Sequence, residues 1–192
     1  LGRVRAAVSS DQLMGAEGWA SRAQYAAFRA LLAPEWGFAG RVRRPPTDPV
    51  NALISFAAVL LTQEVVAACM QAGLVPEVGV LHAPRPSRPN LALDLMEEFR
   101  PILVDGLALS IVRRRLLRPD DFTRDPRTGG VRMSGAAKVT FLREYERRML
   151  SRFTHEPTGQ QLSYRRGLAE QARQFARCCH DGTAAYVPVL LR

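Results

Sequence analysis

Between Asp48 and Gly73 lies a stretch that is stable only inside a core. Asp48-Pro49 supplies a helix cap followed by proline at the first helical position, where the missing N–H does no harm, and Gly73 supplies a stop. From Pro49 to about Ala72 the residues are apolar on nearly every face of a helix, which marks a central buried element. The most apolar run, Ala52 to Thr62, ends at Gln63-Glu64. That is well short of the roughly 20 residues needed to cross a bilayer. Other elements must therefore wrap around this helix, and 192 residues at 47% hydrophobic suffice for one ordinary domain with a core of its own.

The rest reads as further helices joined by proline-broken connections. Asp11 to Leu32 places Leu13, Ala16, Ala20, Ala27 and Leu31 close to a 3.6-residue period, and Ala33-Pro34 ends it. Glu35 to Asp48 is a loop. Gly73 to Asn90 is a second connection, where Pro76, Pro84, Pro86 and Pro89 preclude regular structure. Asn90 caps a helix from Leu91 towards Leu116, which Pro101 should bend. After a turn-rich stretch, Arg118 to Arg132, Ser134 caps a helix reaching about Phe153. A last helix spans about Gln160 to His180, before an extended tail from Tyr186 to Leu191. Alternating patterns never exceed a few residues. The expected class is all-α, a single multi-helix domain over residues 1–192 with at most short strands.

Charge narrows the partners. Lysine and arginine outnumber the acids 27 to 18, for a net charge of +9. Such a surplus favours polyanions, nucleic acid before an acidic membrane surface, although a solvated basic surface carries the same count. The basic groups are scattered over several elements rather than lining one amphipathic helix, which ranks membrane binding last. Cys69, Cys178 and Cys179 have no C-x-x-C spacing, so they signal neither a zinc site nor a disulfide framework and fit a reducing cytoplasm. The absence of a Walker loop, a G-x-S-x-G elbow and an H-E-x-x-H pair leaves nucleotide hydrolysis and simple serine or zinc hydrolysis without support.

Three segments place metal-binding side chains where burial alone does not explain them. Asp94, Glu97 and Glu98 stand at i, i+3 and i+4 and project from one helical face. Their mutual repulsion is tolerated when a cation or arginines sit opposite, though a solvated acidic edge has the same pattern. His82 follows apolar Val78 to Leu81 and precedes the proline-rich loop, a place where histidine is more often a structural hydrogen-bonder. The loop has room to fold its ring back over Glu97. Glu17 lies between Gly15 and Gly18 inside a helical run. Each glycine costs about 1 kcal/mol against alanine and permits close approach of another backbone or a ligand. Glu64, within the core helix, reads as structural and neutralised by an arginine; His155 and His180 are weaker candidates. Two carboxylates and an imidazole suit magnesium or manganese better than zinc. Such an ion lowers the pKa of a hydroxyl and offsets charge on a pentacovalent phosphate.

Arginines complete the pattern. Arg22, Arg41, Arg43, Arg44, Arg113, Arg114, Arg115, Arg165 and Arg166 fall in short groups. Guanidinium matches phosphate with a planar fork, and few aromatics are available to stack single-stranded bases. Tracking of a duplex DNA backbone is expected. Pairing with Glu144, Glu146 or Glu170 would account for many of the same residues.

Four segments in order, Leu13-Met14-Gly15-Ala16-Glu17-Gly18, Arg43-Arg44-Pro45-Pro46-Thr47-Asp48-Pro49-Val50-Asn51-Ala52-Leu53, Gly79-Val80-Leu81-His82 and Leu91-Ala92-Leu93-Asp94-Leu95-Met96-Glu97-Glu98-Phe99-Arg100-Pro101, carry a resemblance. The chain resembles the helical catalytic domain of the CRISPR-associated integrase family, the Cas-one (Cas1) proteins, over nearly its whole length. Tyr145-Glu146-Arg147-Arg148 and Tyr164-Arg165-Arg166 also fit. The resemblance implies a magnesium or manganese site held by Glu17, His82 and an acid of the Asp94/Glu97 helix. The family's third ligand falls one turn after the Asp94 position, which carries it to Glu97, with Asp94 second.

The same resemblance implies strand transfer, in which the 3′-hydroxyl of a foreign DNA fragment attacks a phosphodiester at the edge of a CRISPR repeat. Arg22, Arg41, Arg43, Arg44, Arg165 and Arg166 would hold the DNA. It also implies cytoplasmic homodimers that flank a dimer of the ferredoxin-like Cas-two (Cas2) protein, and an association with reverse transcriptase in some relatives. The family's N-terminal β-rich domain has no match here. Gln24 beside Tyr25 departs from an expected aromatic pair. Two other readings stay open: a non-catalytic DNA-binding scaffold, and a structure-selective metal-dependent endonuclease that uses water as nucleophile.

Overall fold

A computed structural model describes residues 10–80, 88–182 and 185–189. The helices are α1 (Ser10–Ala30), α2 (Pro49–Gln71), α3 (Asn90–Met96), α4 (Gly106–Arg113), α5 (Gly135–Leu150) and α6 (Tyr164–Asp181), with a π-helical turn at Pro101–Asp105 between α3 and α4. Two antiparallel hairpins, β1 (Phe122–Arg124) with β2 (Val131–Met133) and β3 (Arg152–His155) with β4 (Gln160–Ser163), are its only sheets among the described residues. The architecture is helical with short strands, as the sequence patterns lead one to expect.

Helix α2 is the centre. Its start is set by Asp48, whose carboxylate accepts from the Asn51 N–H at 2.8 Å, with Pro49 in the first turn. Val50, Leu53, Ile54, Ala57 and Leu61 are fully buried, and α3, the π turn, α4 and α6 pack on them. By length and hydropathy alone α2 would satisfy a membrane span. Its buried stripe instead faces this core, and Glu64 in its second half pairs with Arg165 of α6 at 2.8 Å. The expected neutralisation of Glu64 by an arginine is thus present.

The helix expected to run from Leu91 to Leu116 is broken more deeply than a bend. Pro101 has no N–H to give the Glu97 carbonyl four residues back, and its ring crowds that carbonyl. The helical ladder accordingly opens over residues 97–99. Glu97 N–H reaches only the Asp94 carbonyl, at 3.4 Å, and Phe99 N–H the Met96 carbonyl, at 3.0 Å. Regular bonding resumes as a π turn, with Gly106 N–H donating to the Pro101 carbonyl five residues back. A Cβ at Gly106 would lie 2.9 Å from that carbonyl oxygen. Gly106→Ala is therefore expected to destabilise the fold by about 1–3 kcal/mol through overpacking. Thermal unfolding followed by circular dichroism tests this, and an unchanged midpoint would mean that the turn yields freely.

The second hairpin explains why α5 stops at Leu150 and α6 begins only at Tyr164. Phe153 pairs with Leu162 across the hairpin, stacks on Tyr164 at 4.6 Å and meets Phe99 edge-on at 6.3 Å. Gly167 lets α6 sit on that ring, because a Cβ there would be 2.7 Å from Phe153. Ser163 caps α6 by accepting from Arg166 N–H at 3.3 Å. Helix α1 is attached through Tyr25 and Phe28, which are buried against Phe38. Its N-terminal half is largely exposed.

Candidate active site

The opened turn at 97–99 faces α1 across a small cleft. Glu17, Ser21, Gln24 and Tyr25 of α1 line one wall, Glu97, Arg100 and Pro101 the other, with Arg43 at the rim and Asp105 at the base, around a volume of about 80 Å³. Two of the acids singled out from sequence, Glu17 and Glu97, are thereby brought together from positions 80 residues apart in the chain.

Asp105 anchors the base. It is 3% exposed and accepts from the Gln24 side-chain amide at 2.9 Å and from the Tyr25 hydroxyl at 3.1 Å. Burial raises its pKa, while Arg100 and the two hydrogen bonds pull the other way. Arg100 spans the cleft wall, with Nη1 3.1 Å from Glu97 Oε1 and Nε 4.0 Å from Asp105 Oδ2. Burial works against the Arg100 charge, but Glu97, Tyr25 and Asp105 together hold its pKa above the ordinary value.

Glu97 stands between a like charge and a cation. Its side chain is 41% exposed, yet withdrawal from water raises its pKa, Arg100 lowers it, and the nearby Glu17 charge raises it again. Removing the like charge should make ionisation easier, and removing the cation should make it harder. Glu17→Gln is therefore expected to lower the Glu97 pKa and Arg100→Gln to raise it, as read by carboxyl ¹³C NMR titration. No movement in Glu17→Gln would mean that the two carboxylates do not sense each other.

The other acids point elsewhere. Asp94 Oδ2 accepts from the Val80 N–H at 2.8 Å, so it braces the connection before residue 81 and does not line the cleft. Glu98 turns to the opposite side, towards α6. His82 lies outside the described residues.

The donor chemistry of the cleft suits a hard divalent ion. Carboxylate oxygens from Glu17 and Glu97 in an open cleft are the protein contribution that magnesium and manganese accept, with water completing the shell. Among the described residues no group of three or more His, Cys, Asp and Glu is disposed to hold a metal ion. Gly15 and Gly18 leave open space beside Glu17, with no atom within 4 Å of where a Cβ would stand. The close approach that these glycines permit is thus not used by the described chain itself.

A larger cleft of about 520 Å³ adjoins the first and shares Ser21, Tyr25 and Arg43 with it. Arg22, Arg29, Arg41 and Arg43 line it, with the backbone of Gly40. Arg41 is fixed in place, its Nη1 donating to Asn51 Oδ1 at 2.9 Å and its Nη2 to Ser55 Oγ at 3.1 Å, while Nε is buried without a partner. Burial lowers its pKa. Arg22, Arg29, Arg43 and Arg44 are exposed and form no ion pair among the described residues. Arg29 has a signal of its own in the sequence, because it stands seven residues after Arg22 and so shares its helical stripe.

Arg165 has a different setting. Its Nη2 lies 2.8 Å from both Glu64 and Glu146, so its charge is compensated and ties α6 to α2 and α5. Arg166 is exposed in the first turn of α6. Glu144 takes up Arg114 and Arg147, and Glu170 takes up Arg173 and Arg177. Asp105 is a cleft residue that sequence reasoning misses; Gln24 and Tyr25 stand out in the sequence only as an unexpected pair, not as the donors to Asp105. The only signal for Asp105 is a lone acid inside the apolar run Ile102 to Leu107.

Comparison with known proteins identifies the family and the fold. The family model described as CRISPR associated protein Cas1 matches residues 1–147. The chain is 42% identical over 186 residues to CRISPR-associated endonuclease Cas1 3 of Thermus thermophilus, covering 97% of this chain and 55% of that protein. It is 44% identical over 187 residues to CRISPR-associated endonuclease Cas1 2 of Rhodospirillum rubrum, covering 95% and 54%. Among solved structures, a chain of a Cas6-RT-Cas1–Cas2 complex superimposes with a TM-score of 0.86 at 28% identity, over 99% of this chain and 21% of that one. The chain spans about half the length of the curated relatives that it matches.

Proposed function

Because the chain belongs to the Cas1 family of CRISPR-associated proteins, we propose that it carries the catalytic site of a DNA integrase. Its reaction is the joining of 3′-hydroxyl ends of foreign DNA fragments into a CRISPR repeat by transesterification. The observation that carries this reading is that Glu17 and Glu97 line one small cleft, which shares Ser21, Tyr25 and Arg43 with an arginine-lined one.

Arg22, Arg29, Arg41 and Arg43 hold phosphates of the entering backbone, with Arg44 beside them. Arg41 is the rigid member, since Asn51 and Ser55 fix its guanidinium. Arg43 lines both clefts and leads the strand from the arginines to the carboxylates. Glu17, Glu97 and His82 would hold magnesium or manganese. When bound, that ion supplies charge stabilisation at the phosphate and a lowered pKa for the attacking hydroxyl. Arg100 and Asp105 keep Glu97 oriented while the 3′-oxygen forms its bond to phosphorus and the 3′-oxygen of the repeat strand leaves. Alignment of attacking and leaving oxygens is the protein's own contribution to the rate.

The names of the relatives favour a second reaction at the same site, endonucleolytic cleavage with water in place of the 3′-hydroxyl. A Cas2 protein is the proposed partner of a homodimer, and reverse transcriptase a further associate, because the superimposable complex is named for both.

The test is transfer of a labelled duplex with free 3′-hydroxyls into a plasmid bearing a CRISPR repeat, with a Cas2 protein added. It is run in Mn²⁺, in EDTA, and with Glu17→Ala and His82→Ala. Joined product that requires the metal and both side chains is expected. Shortened strands without joined product would leave the endonuclease, and salt-sensitive DNA binding without either product would leave a scaffold.

A further inference from the structure

Glu97 sits in a turn that lacks the bonding of a helix. Its N–H has one long bond to the Asp94 carbonyl, and Pro101 offers its carbonyl no donor. Something other than the helical ladder must hold this residue in place.

The next side chain, Glu98, is held from three directions. The Tyr186 hydroxyl donates to Oε1, while the Gln171 amide and the Val189 backbone N–H each donate to Oε2 at 2.8 Å. No arginine or lysine pairs with Glu98 among the described residues. The donors come from α6 and from the extended segment 185–189 that crosses it. Gln171 is itself fixed, being 1% exposed, with Oε1 3.1 Å from Nε2 of the buried His155 in β3. Val189 is 3% exposed, and Tyr186 packs edge-on against Phe175 at 5.8 Å. Segment 185–189 therefore docks on the back of the opened turn, and a carboxylate one peptide bond from Glu97 receives it.

We propose that Glu98 is a positioning residue, clamped by Tyr186, Val189 and Gln171, which aims the neighbouring Glu97 at Glu17. The inference rests on the reading of Glu97 as a metal ligand. Free rotation about the backbone of 97–99 would leave that ligand at varied distances from Glu17. The clamp removes the rotation through Gln171, Tyr186 and Val189, none of which lines either cleft, so it acts on catalysis without touching substrate.

Mn²⁺ binding to the whole chain, measured by electron paramagnetic resonance without DNA, separates this role from a structural one. Glu98→Ala is expected to weaken Mn²⁺ binding and to lower kcat by about 10-fold each, as loss of a ligand's supporting contact does. KM for DNA and DNA binding in EDTA stay unchanged. Tyr186→Phe, which keeps the ring packing, shifts both quantities in the same direction by less. Glu98→Gln, which keeps one acceptor oxygen, falls between wild type and Glu98→Ala. A purely structural contact would lower the melting temperature and leave Mn²⁺ affinity alone. Unchanged Mn²⁺ affinity and kcat in Tyr186→Phe and Glu98→Ala, with wild type binding Mn²⁺, overturn the clamp only. A wild-type protein that binds no Mn²⁺ overturns the proposed function and the clamp together.

Discussion

Glu97→Ala is expected to lose metal-dependent strand transfer by on the order of 10³-fold, the rate equivalent of several kcal/mol of transition-state stabilisation. The neighbouring acid should behave differently. Asp94 accepts from the Val80 N–H, and in Asp94→Asn the side-chain oxygen can still accept that bond. The Asp94→Asn loss is therefore expected to be about tenfold or less, as for a supporting contact at the weak end of its range. The two carboxylates stand one helical turn apart and are of one chemical type, so only their surroundings separate them. Transfer rates of both variants on one DNA substrate, at saturating Mn²⁺, make the comparison. A larger loss in Asp94→Asn would reverse the assignment.

The largest expected effect on stability belongs to Asp105. Its carboxylate is the common acceptor for Gln24 and Tyr25 and lies 4.0 Å from Arg100. Asp105→Ala leaves the buried Tyr25 hydroxyl without its acceptor and takes one of two counter-charges from Arg100, which keeps Glu97. Removal of one partner from such a buried pair destabilises by about 3–5 kcal/mol. Asp105→Asn keeps the shape and one acceptor oxygen, so a smaller loss, about 1–3 kcal/mol, is expected. Equilibrium unfolding in urea measures both. Equal stability of Asp105→Ala and wild type would show that the base of the cleft carries no structural load. Because α1 meets the core at this point, Asp105→Ala should also loosen Glu17 and reduce transfer beyond what unfolding explains.

Much of the fold is legible in the sequence because its signals are local. Asp48 and Ser134 are caps in the structure as in the sequence, accepting from Asn51 and Ala137, and α2 is the core helix that its composition requires. The two hairpins are not legible, since strands of three and four residues are too short for a period of two to emerge from turn-rich surroundings. Pro101 announces a disturbance but not its form. Proline affects the carbonyl four residues before it, so the ladder opens at Glu97, and the π turn beyond depends on Gly106.

In the candidate site, Glu17 is marked by its flanking glycines. Nothing local separates Glu97 from Asp94 and Glu98, and only the family resemblance favours it. The meeting of Glu17 and Glu97 is a tertiary event. The arginines show the limit most plainly. Arg165 and Arg22 have the same chemistry. They differ in that Glu64, 101 residues away in the chain, and Glu146 reach Arg165, whereas α1 presents Arg22 to an open cleft. No local pattern contains that information. Asp105 is easily overlooked because an acid in an apolar stretch acquires meaning only when its donors, here from α1, are known.

The π turn at Pro101–Asp105 has a consequence for how this segment tolerates change. A regular helix advances about 100° per residue, so a wider turn works as a phase shifter between α3 and α4. Upstream, the phase presents Glu97 and Arg100 to the cleft; downstream, it presents Leu107, Ala108, Ile111 and Val112 to the core. Loss of one residue between Pro101 and Gly106 would let ordinary α-type bonding replace the π turn beyond the break that Pro101 itself makes. It would also rotate α4 by about 100° relative to α3 and carry either the core stripe or Asp105 off target. Within these five positions, the number of residues is under tighter physical constraint than the identity of most of them.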